Sequence, residues 1–150
     1  TTEIYTLSLH DALPIYEVIQ LEKEVHTASE TARVLGCSIS MILKSMLVYD
    51  ARNPQASTVV IIPGDKRLDL EKVKRLCNYV DPRLVPASQV HKRTGFAVGT
   101  LPPWGYSGDI ATYYDSCIKK NDFVYGGSGN PKFLVRFSPL SLESSLFCDL

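Results

Sequence analysis

No apolar run in this 150-residue chain approaches the ~20 residues that a membrane-crossing helix needs, and no cationic stretch leads into an apolar segment. A soluble, cytoplasmic protein is the expectation. Cysteine is sparse and scattered: Cys37, Cys77, Cys117 and Cys148 form no Cys-x-x-Cys pair and have no histidine at metal-ligand spacing. That pattern argues against a zinc site or a disulfide framework and predicts reduced, mostly buried thiols. Neither a metal nor an organic cofactor is expected. Excess charge is absent too, with 16 basic and 16 acidic side chains. Such a balance neither demands nor excludes a nucleic-acid partner. Repeats, low-complexity tracts and linkers are missing, and 45% apolar content at this length suits a single core.

The first fifteen residues, 1–15, match letter for letter one reading frame of a widely used short-read sequencing adapter. They are read as a non-native segment and set apart from fold reasoning, as any scar would be. His10 and Asp11 are therefore poor site candidates although they stand side by side. Without Glu3 and Asp11 the remainder carries 16 basic and 14 acidic residues, a balance of +2. Residues 16–150 form the expected domain.

From Tyr16 the pattern predicts a short strand to Leu21. Thr27-Ala28-Ser29-Glu30 has capping-box spacing and opens a helix to Leu35, with Ala28, Ala32 and Leu35 on one face and Gly36 as its left-handed stop. Ser38 or Ser40 starts a helical turn, residues 44–49 read as a buried strand, 52–55 as a loop, and 58–63 as a β-prone run. Asp69 caps a helix to Leu76 whose Leu70, Val73 and Leu76 share a face. A short strand over 80–85, a helix from Pro86 to Gly95, strands at 110–114, 123–125 and 133–137, and a helical stretch from Ser138-Pro139 complete the pass. Without strict βαβ alternation, the expectation is an α+β domain with a mixed, mainly antiparallel sheet flanked by short helices.

Lys44 is the chemical outlier, a basic side chain at the seam between Met41-Ile42-Leu43 and Met46-Leu47-Val48-Tyr49. An amine there is either partly desolvated for a task or snorkels from the end of a buried strand. Two glycine-rich stretches can bring bare N–H groups to a ligand: Thr94-Gly95-Phe96-Ala97-Val98-Gly99-Thr100-Leu101-Pro102-Pro103 and Gly126-Gly127-Ser128-Gly129-Asn130-Pro131. The second is equally a hairpin turn, and it lacks the Lys-Ser/Thr of a phosphate-binding P-loop. Cation plus backbone donors suits an ester or a phosphate. No Ser-His-Asp or Cys-His arrangement is recognisable. Asp115 closes a strand and reads chiefly as a turn former. Trp104 either packs or stacks on a base. His26 and His91 read as surface or helix-entry residues. Lys92, Arg93, Lys119, Lys120 and the Lys72-Lys74-Arg75 face are solvated residues or phosphate contacts.

Five landmarks in order resemble the YbaK/ProX-type aminoacyl-tRNA deacylases, relatives of the editing domain of prolyl-tRNA synthetase. They are Thr27-Ala28-Ser29-Glu30-Thr31-Ala32-Arg33-Val34-Leu35-Gly36, Ile42-Leu43-Lys44-Ser45-Met46-Leu47-Val48, Pro63-Gly64-Asp65, Arg93-Thr94-Gly95-Phe96-Ala97-Val98-Gly99 and Phe123-Val124-Tyr125-Gly126-Gly127-Ser128-Gly129. The resemblance spans Tyr16 to the C-terminus and implies hydrolysis of the ester of a mischarged tRNA, with a small non-cognate amino acid removed in trans. It implies Lys44 as the required lysine and Gly99-Thr100-Leu101-Pro102-Pro103 as the loop that approaches the terminal adenosine. Substrate contacts are then expected from Gly95, Gly99, Thr100, Pro103, Gly126, Gly127 and Gly129, with Thr27 and Asp115 as weaker candidates. Thr100 stands where the family has a second glycine, a departure that narrows the pocket. The family helix that precedes Tyr16 has no counterpart here. Expected partners are the acceptor end of aminoacyl-tRNA and a synthetase. A non-catalytic tRNA-binding or synthetase-associated module on the same scaffold is the alternative, and a hydrolase for another small ester the third reading.

Overall fold

The computed structural model describes residues 15–150 in full and the backbone of residues 2–5. Residue 1 and residues 6–14, with His10 and Asp11 of the segment read as adapter-derived, lie outside the described residues. The described elements run β1 (Thr2–Tyr5), β2 (Tyr16–Gln20), α1 (Ala28–Leu35), β3 (Leu43–Asp50), β4 (Asn53–Pro63), α2 (Leu70–Cys77), β5 (Pro82–Leu84), α3 (Ala87–Thr94), β6 (Ile110–Asp115), β7 (Val124–Gly127), β8 (Phe133–Phe137) and β9 (Phe147–Cys148). Among them, no helix is long and apolar enough to cross a membrane.

Central to the fold is β4, whose Val59, Val60, Ile61 and Ile62 are all fully buried. Alternating side chains feed two cores. Val59 and Ile61 join Leu43, Leu47, Tyr114, Val135 and Phe137, while Val60 and Ile62 join Val48, the α2 residue Val73 and Leu150. Each such burial stabilises by about 1.5–3 kcal/mol, enough to fix which strand sits inside the sheet. A five-stranded mixed sheet in the order β5-β3-β4-β6-β9 results, with β4 antiparallel to β3 and parallel to β6. The second sheet, β1-β2-β8-β7, is wholly antiparallel. The expected α+β class holds, but the strands divide between two sheets joined, among the described residues, by one isolated bridge, Ile42 to Tyr125. At the outer edge, β1 pairs with β2 through the main chain, a contact that any extended segment can make.

Local signals place the helices. The Thr27 hydroxyl accepts the Glu30 N–H at 3.1 Å, and Gly36 takes φ 68°. Glu30 reaches back to the His26 N–H at 3.1 Å, one residue earlier than the capping-box spacing predicts. Asp69 accepts the Glu71 N–H at 2.9 Å and starts α2.

Three expectations need correction. Residues 53–55 are not loop: β4 begins at Asn53, and a bulge at Tyr49/Asp50 lets the hairpin turn within two residues. After Ser138-Pro139 there are two separate 3₁₀ turns, Pro139–Ser141 and Ser144–Leu146, because Leu142 and Glu143 are extended. The four cysteines are free, as expected, but only half-buried.

Asp50 closes the β3–β4 hairpin, accepting the N–H groups of Val80 at 3.0 Å, Asp81 at 2.9 Å and Arg52 at 3.0 Å. The Val80 bond, with help from the other two, outweighs burial and holds the carboxyl below the usual carboxylate range. A depressed pKa gives stability that is present above the unfolded value, about 4, and is lost as pH falls through the folded value. Asp50→Asn should therefore lower the thermal midpoint at neutral pH, and the gap to wild type should close in acid. A gap that stays constant from pH 7 to pH 2 would contradict this role.

Gly64 locks the turn after β4 against the segment that leads into β3. A Cβ there would stand 2.5 Å from the Ile39 carbonyl oxygen, 2.9 Å from that of Ile42 and 3.0 Å from the Ala28 Cβ. Gly64→Ala should cost about 1–3 kcal/mol, the usual range for overpacking, read from the denaturation midpoint. An unchanged midpoint would show that the turn has slack.

Candidate functional site

Three segments frame a cleft of about 400 Å³: the entry to α1 around Thr27, the first residues of β3, and the 99–101 segment facing Gly126 and Gly127 of β7. This volume lies within the ordinary range for small-molecule sites. Local chemistry fixes each wall. Thr27 is held as the α1 cap, buried Ile42 and Leu43 anchor the chain just before Lys44, and Gly99 supplies a left-handed bend at φ 81°.

Lys44 sits opposite Ile62 in the β3–β4 ladder and lines this cleft. Its ammonium donates to the Lys66 carbonyl oxygen at 2.5 Å. An ammonium has three N–H donors, so two remain without a protein acceptor among the described residues. Lys66 belongs to the turn after β4, where its N–H bonds to the Pro63 carbonyl at 3.1 Å. Its side chain meets Asp115 at 2.5 Å and comes within 3.9 Å of Asp149. Burial pulls the Lys66 ammonium down, but the hydrogen bond and charge of Asp115 outweigh it and hold the group above the usual lysine range.

The glycine stretches serve each other as well as the cleft. A Cβ on Gly127 would lie 2.5 Å from the Leu101 carbonyl oxygen and 2.7 Å from that of Thr100, and one on Gly126 would meet the Pro103 ring at 3.0 Å. Only bare backbone allows the 99–103 segment to lie so close. The Gly129 N–H donates to the Thr100 carbonyl at 2.8 Å, and the Thr100 hydroxyl turns back to the Ala97 carbonyl at 2.7 Å. Among the described residues, the N–H groups of Gly99 and Leu101 have no hydrogen-bond acceptor.

Lys44, Gly99, Thr100, Gly126, Gly127 and Thr27 all line this cleft. Gly95, Pro103, Gly129 and Asp115 do not line the cleft. Gly95 ends α3 with φ 80°, Pro103 is buried against Gly126, and Gly129 leaves room for the Phe96 ring. Asp115 is 1% exposed and holds the Lys66 ammonium together with the N–H groups of Cys117 and Leu150. Sequence reading passed over Ser45, Asn130 and Tyr125 and set His26 aside, yet all four line the cleft. For His26 the only signal is its place just before the Thr27 cap, and Asn130 stands at the end of a glycine stretch.

Trp104 packs between Tyr16, at 5.3 Å, and Phe137, at 4.9 Å between ring centres. It borders a second, more open cleft that shares Asn130 and Phe133 with the first. Three of the basic residues considered for phosphate contacts already have partners within the chain. Arg93 donates to the Pro54 carbonyl and the Ser57 hydroxyl at 2.8 Å, Lys72 pairs with Asp149 at 2.8 Å, and Lys119 lies 4.3 Å from the centre of the Phe147 ring.

A family model for the aminoacyl-tRNA editing domain matches residues 22–144. The proline–tRNA ligase of Fervidobacterium nodosum is 33% identical over 104 residues, covering 69% of this chain and 17% of the ligase, so the likeness concerns one small part of that enzyme. Among solved structures, the hypothetical protein APE2540 superposes with a TM-score of 0.82 at 33% identity, covering 89% of each chain. A proposed trans-editing enzyme for prolyl tRNA synthetase gives 0.77 at 29% identity, covering 90% of this chain and 85% of that one. Matched over most of its length and sharing its fold with both structures, the chain belongs to the aminoacyl-tRNA editing domain family.

Proposed function

We propose that this domain hydrolyses the ester joining a small, wrongly attached amino acid to tRNA, acting in trans on the acceptor end. The observation that carries this reading is the meeting of the Lys44 side chain and the 99–101 backbone on one cleft of about 400 Å³. Family membership and the likeness to a proposed trans-editing enzyme support it. The cytoplasm, where tRNA is charged, and a synthetase of the prolyl type are the setting and partner that fit.

An aminoacyl ester is already activated, so the protein's task is to orient water and stabilise the oxyanion. The water oxygen bonds to the carbonyl carbon, the bond from that carbon to the ribose oxygen breaks, and the water's proton passes to the ribose oxygen as it leaves. Free N–H groups at Gly99 and Leu101 suit the developing oxyanion. The two uncommitted donors of Lys44 suit the ester and its ribose. A neighbouring ribose hydroxyl, as the family resemblance implies, assists the water. This route calls for neither a metal nor an organic cofactor. Thr100, which stands where the family resemblance implies a second glycine, lines this cleft and fits the reading of a small amino acid.

The test is deacylation of tRNA(Pro) charged with alanine, cysteine or serine. Wild type should clear at least one of these esters, and Lys44→Ala should slow that reaction by about 10²–10³-fold, as loss of a key donor does elsewhere. Equal rates for the two proteins would refute the role of Lys44. Saturable tRNA binding without turnover by wild type would instead establish a non-catalytic tRNA-binding module.

A further inference from the structure

We infer that the Lys66–Asp115 ion pair is the device that positions the Lys44 ammonium, which makes Lys66 and Asp115 positioning residues for the proposed reaction. The inference rests on the reading of Lys44 as the group that orients the ester.

Lys44 has one protein acceptor among the described residues, the Lys66 carbonyl oxygen at 2.5 Å. Where that oxygen sits therefore decides where the ammonium sits. The oxygen belongs to a short turn flanked by exposed Asp65 and Arg67, whose own main-chain tie is the Lys66 N–H to the Pro63 carbonyl at 3.1 Å. Such a turn needs a further restraint to hold a carbonyl within tenths of an ångström. The Lys66 side chain provides it by reaching Asp115 at 2.5 Å.

Asp115 is a firm anchor. Its carboxylate is almost fully buried, one oxygen accepts the Cys117 N–H at 2.7 Å, and the other accepts the Leu150 N–H at 3.2 Å as well as the Lys66 ammonium. An ion pair with one partner buried and the other, Lys66, 27% exposed contributes little net stability once desolvation is counted, so its value here lies in fixing one conformation. On the other flank, Gly64 packs against the Ile39 and Ile42 carbonyls and keeps the turn from drifting away from β3.

Lys66 does not line the Lys44 cleft. It borders a separate cleft with Lys120 and Asn121, so it reaches the reaction only through its own carbonyl and Lys44. The chain of restraint runs from Asp115 to the Lys66 side chain, to the Lys66 carbonyl, to the Lys44 ammonium.

Steady-state deacylation of the charged tRNA(Pro) that wild type clears best separates positioning from general stability. Lys66→Met should lower kcat by roughly 10- to 100-fold, the scale of a misplaced catalytic group, and leave KM within about twofold. Lys66→Arg, which can still reach Asp115, should restore most of the rate. Asp115→Asn, which keeps the shape and loses the charge, should resemble Lys66→Met, with thermal midpoints confirming that each variant folds. In a Lys44→Ala background Lys66→Met should have no further effect, because its only route is already cut. A slow Lys44→Ala enzyme beside Lys66→Met and Asp115→Asn at wild-type kcat would overturn this inference alone. Equal losses from Lys66→Met in both backgrounds would also overturn it. Lys44→Ala at the wild-type rate would overturn the inference together with the reading beneath it.

Discussion

Burial of β4 on both faces is the constraint from which the rest of the molecule follows. Val59 to Ile62 have no exposed surface, so the strand must lie inside a sheet with a core on each side. Its antiparallel neighbour β3 then brings Lys44 opposite Ile62, close to where β4 ends at Pro63. Its parallel neighbour β6 ends at the same edge, because Ile61 stands beside Tyr114 and Asp115 comes next. One end of the sheet therefore gathers the start of β3, the turn bearing Lys66, and the buried carboxylate. The register of three strands, set by apolar packing, delivers the polar groups to one place.

The opposite wall of the cleft is a matter of close approach. Gly126 and Gly127 pair with β8 and at the same time receive the 99–103 segment at distances that no side chain would allow. The same glycines thus shape the cleft and hold its loop. Contact with a ligand and tight packing are not alternatives at this position, since the backbone that lines the cleft is there because the packing is tight.

How far the sequence reveals this depends on the range of each interaction. The α1 cap at Thr27, the stop at Gly36 and the Asp69 cap were legible because each acts within four residues. The β-prone run in β4 was legible from its uninterrupted apolar residues. Lys44 stood out as a charge at an apolar seam. The Lys66–Asp115 pair spans 49 positions and has no local mark, so Asp115 read as a turn former although it is one of the most buried polar residues. Arg93 misled for the same reason: its partners Pro54, Ser57 and Tyr49 lie far back in the chain, and a basic residue in the last turn of α3 looks like any solvated one. The division into two sheets also escaped the sequence, since strand propensity says nothing about which strands share hydrogen bonds. Pro54 concealed the start of β4, where a bulge accommodates it.

In the proposed reaction Lys44 and the 99–101 backbone act on one scissile carbonyl. A crystal structure with a non-hydrolysable aminoacyl-adenosine analogue tests it most directly. The analogue's carbonyl oxygen should lie about 3 Å from the Gly99 or Leu101 N–H, with the Lys44 ammonium at hydrogen-bond distance from the ester position or its ribose. An analogue seated elsewhere, with its carbonyl beyond the reach of both groups, would show that Lys44 and this backbone do not act together on the ester.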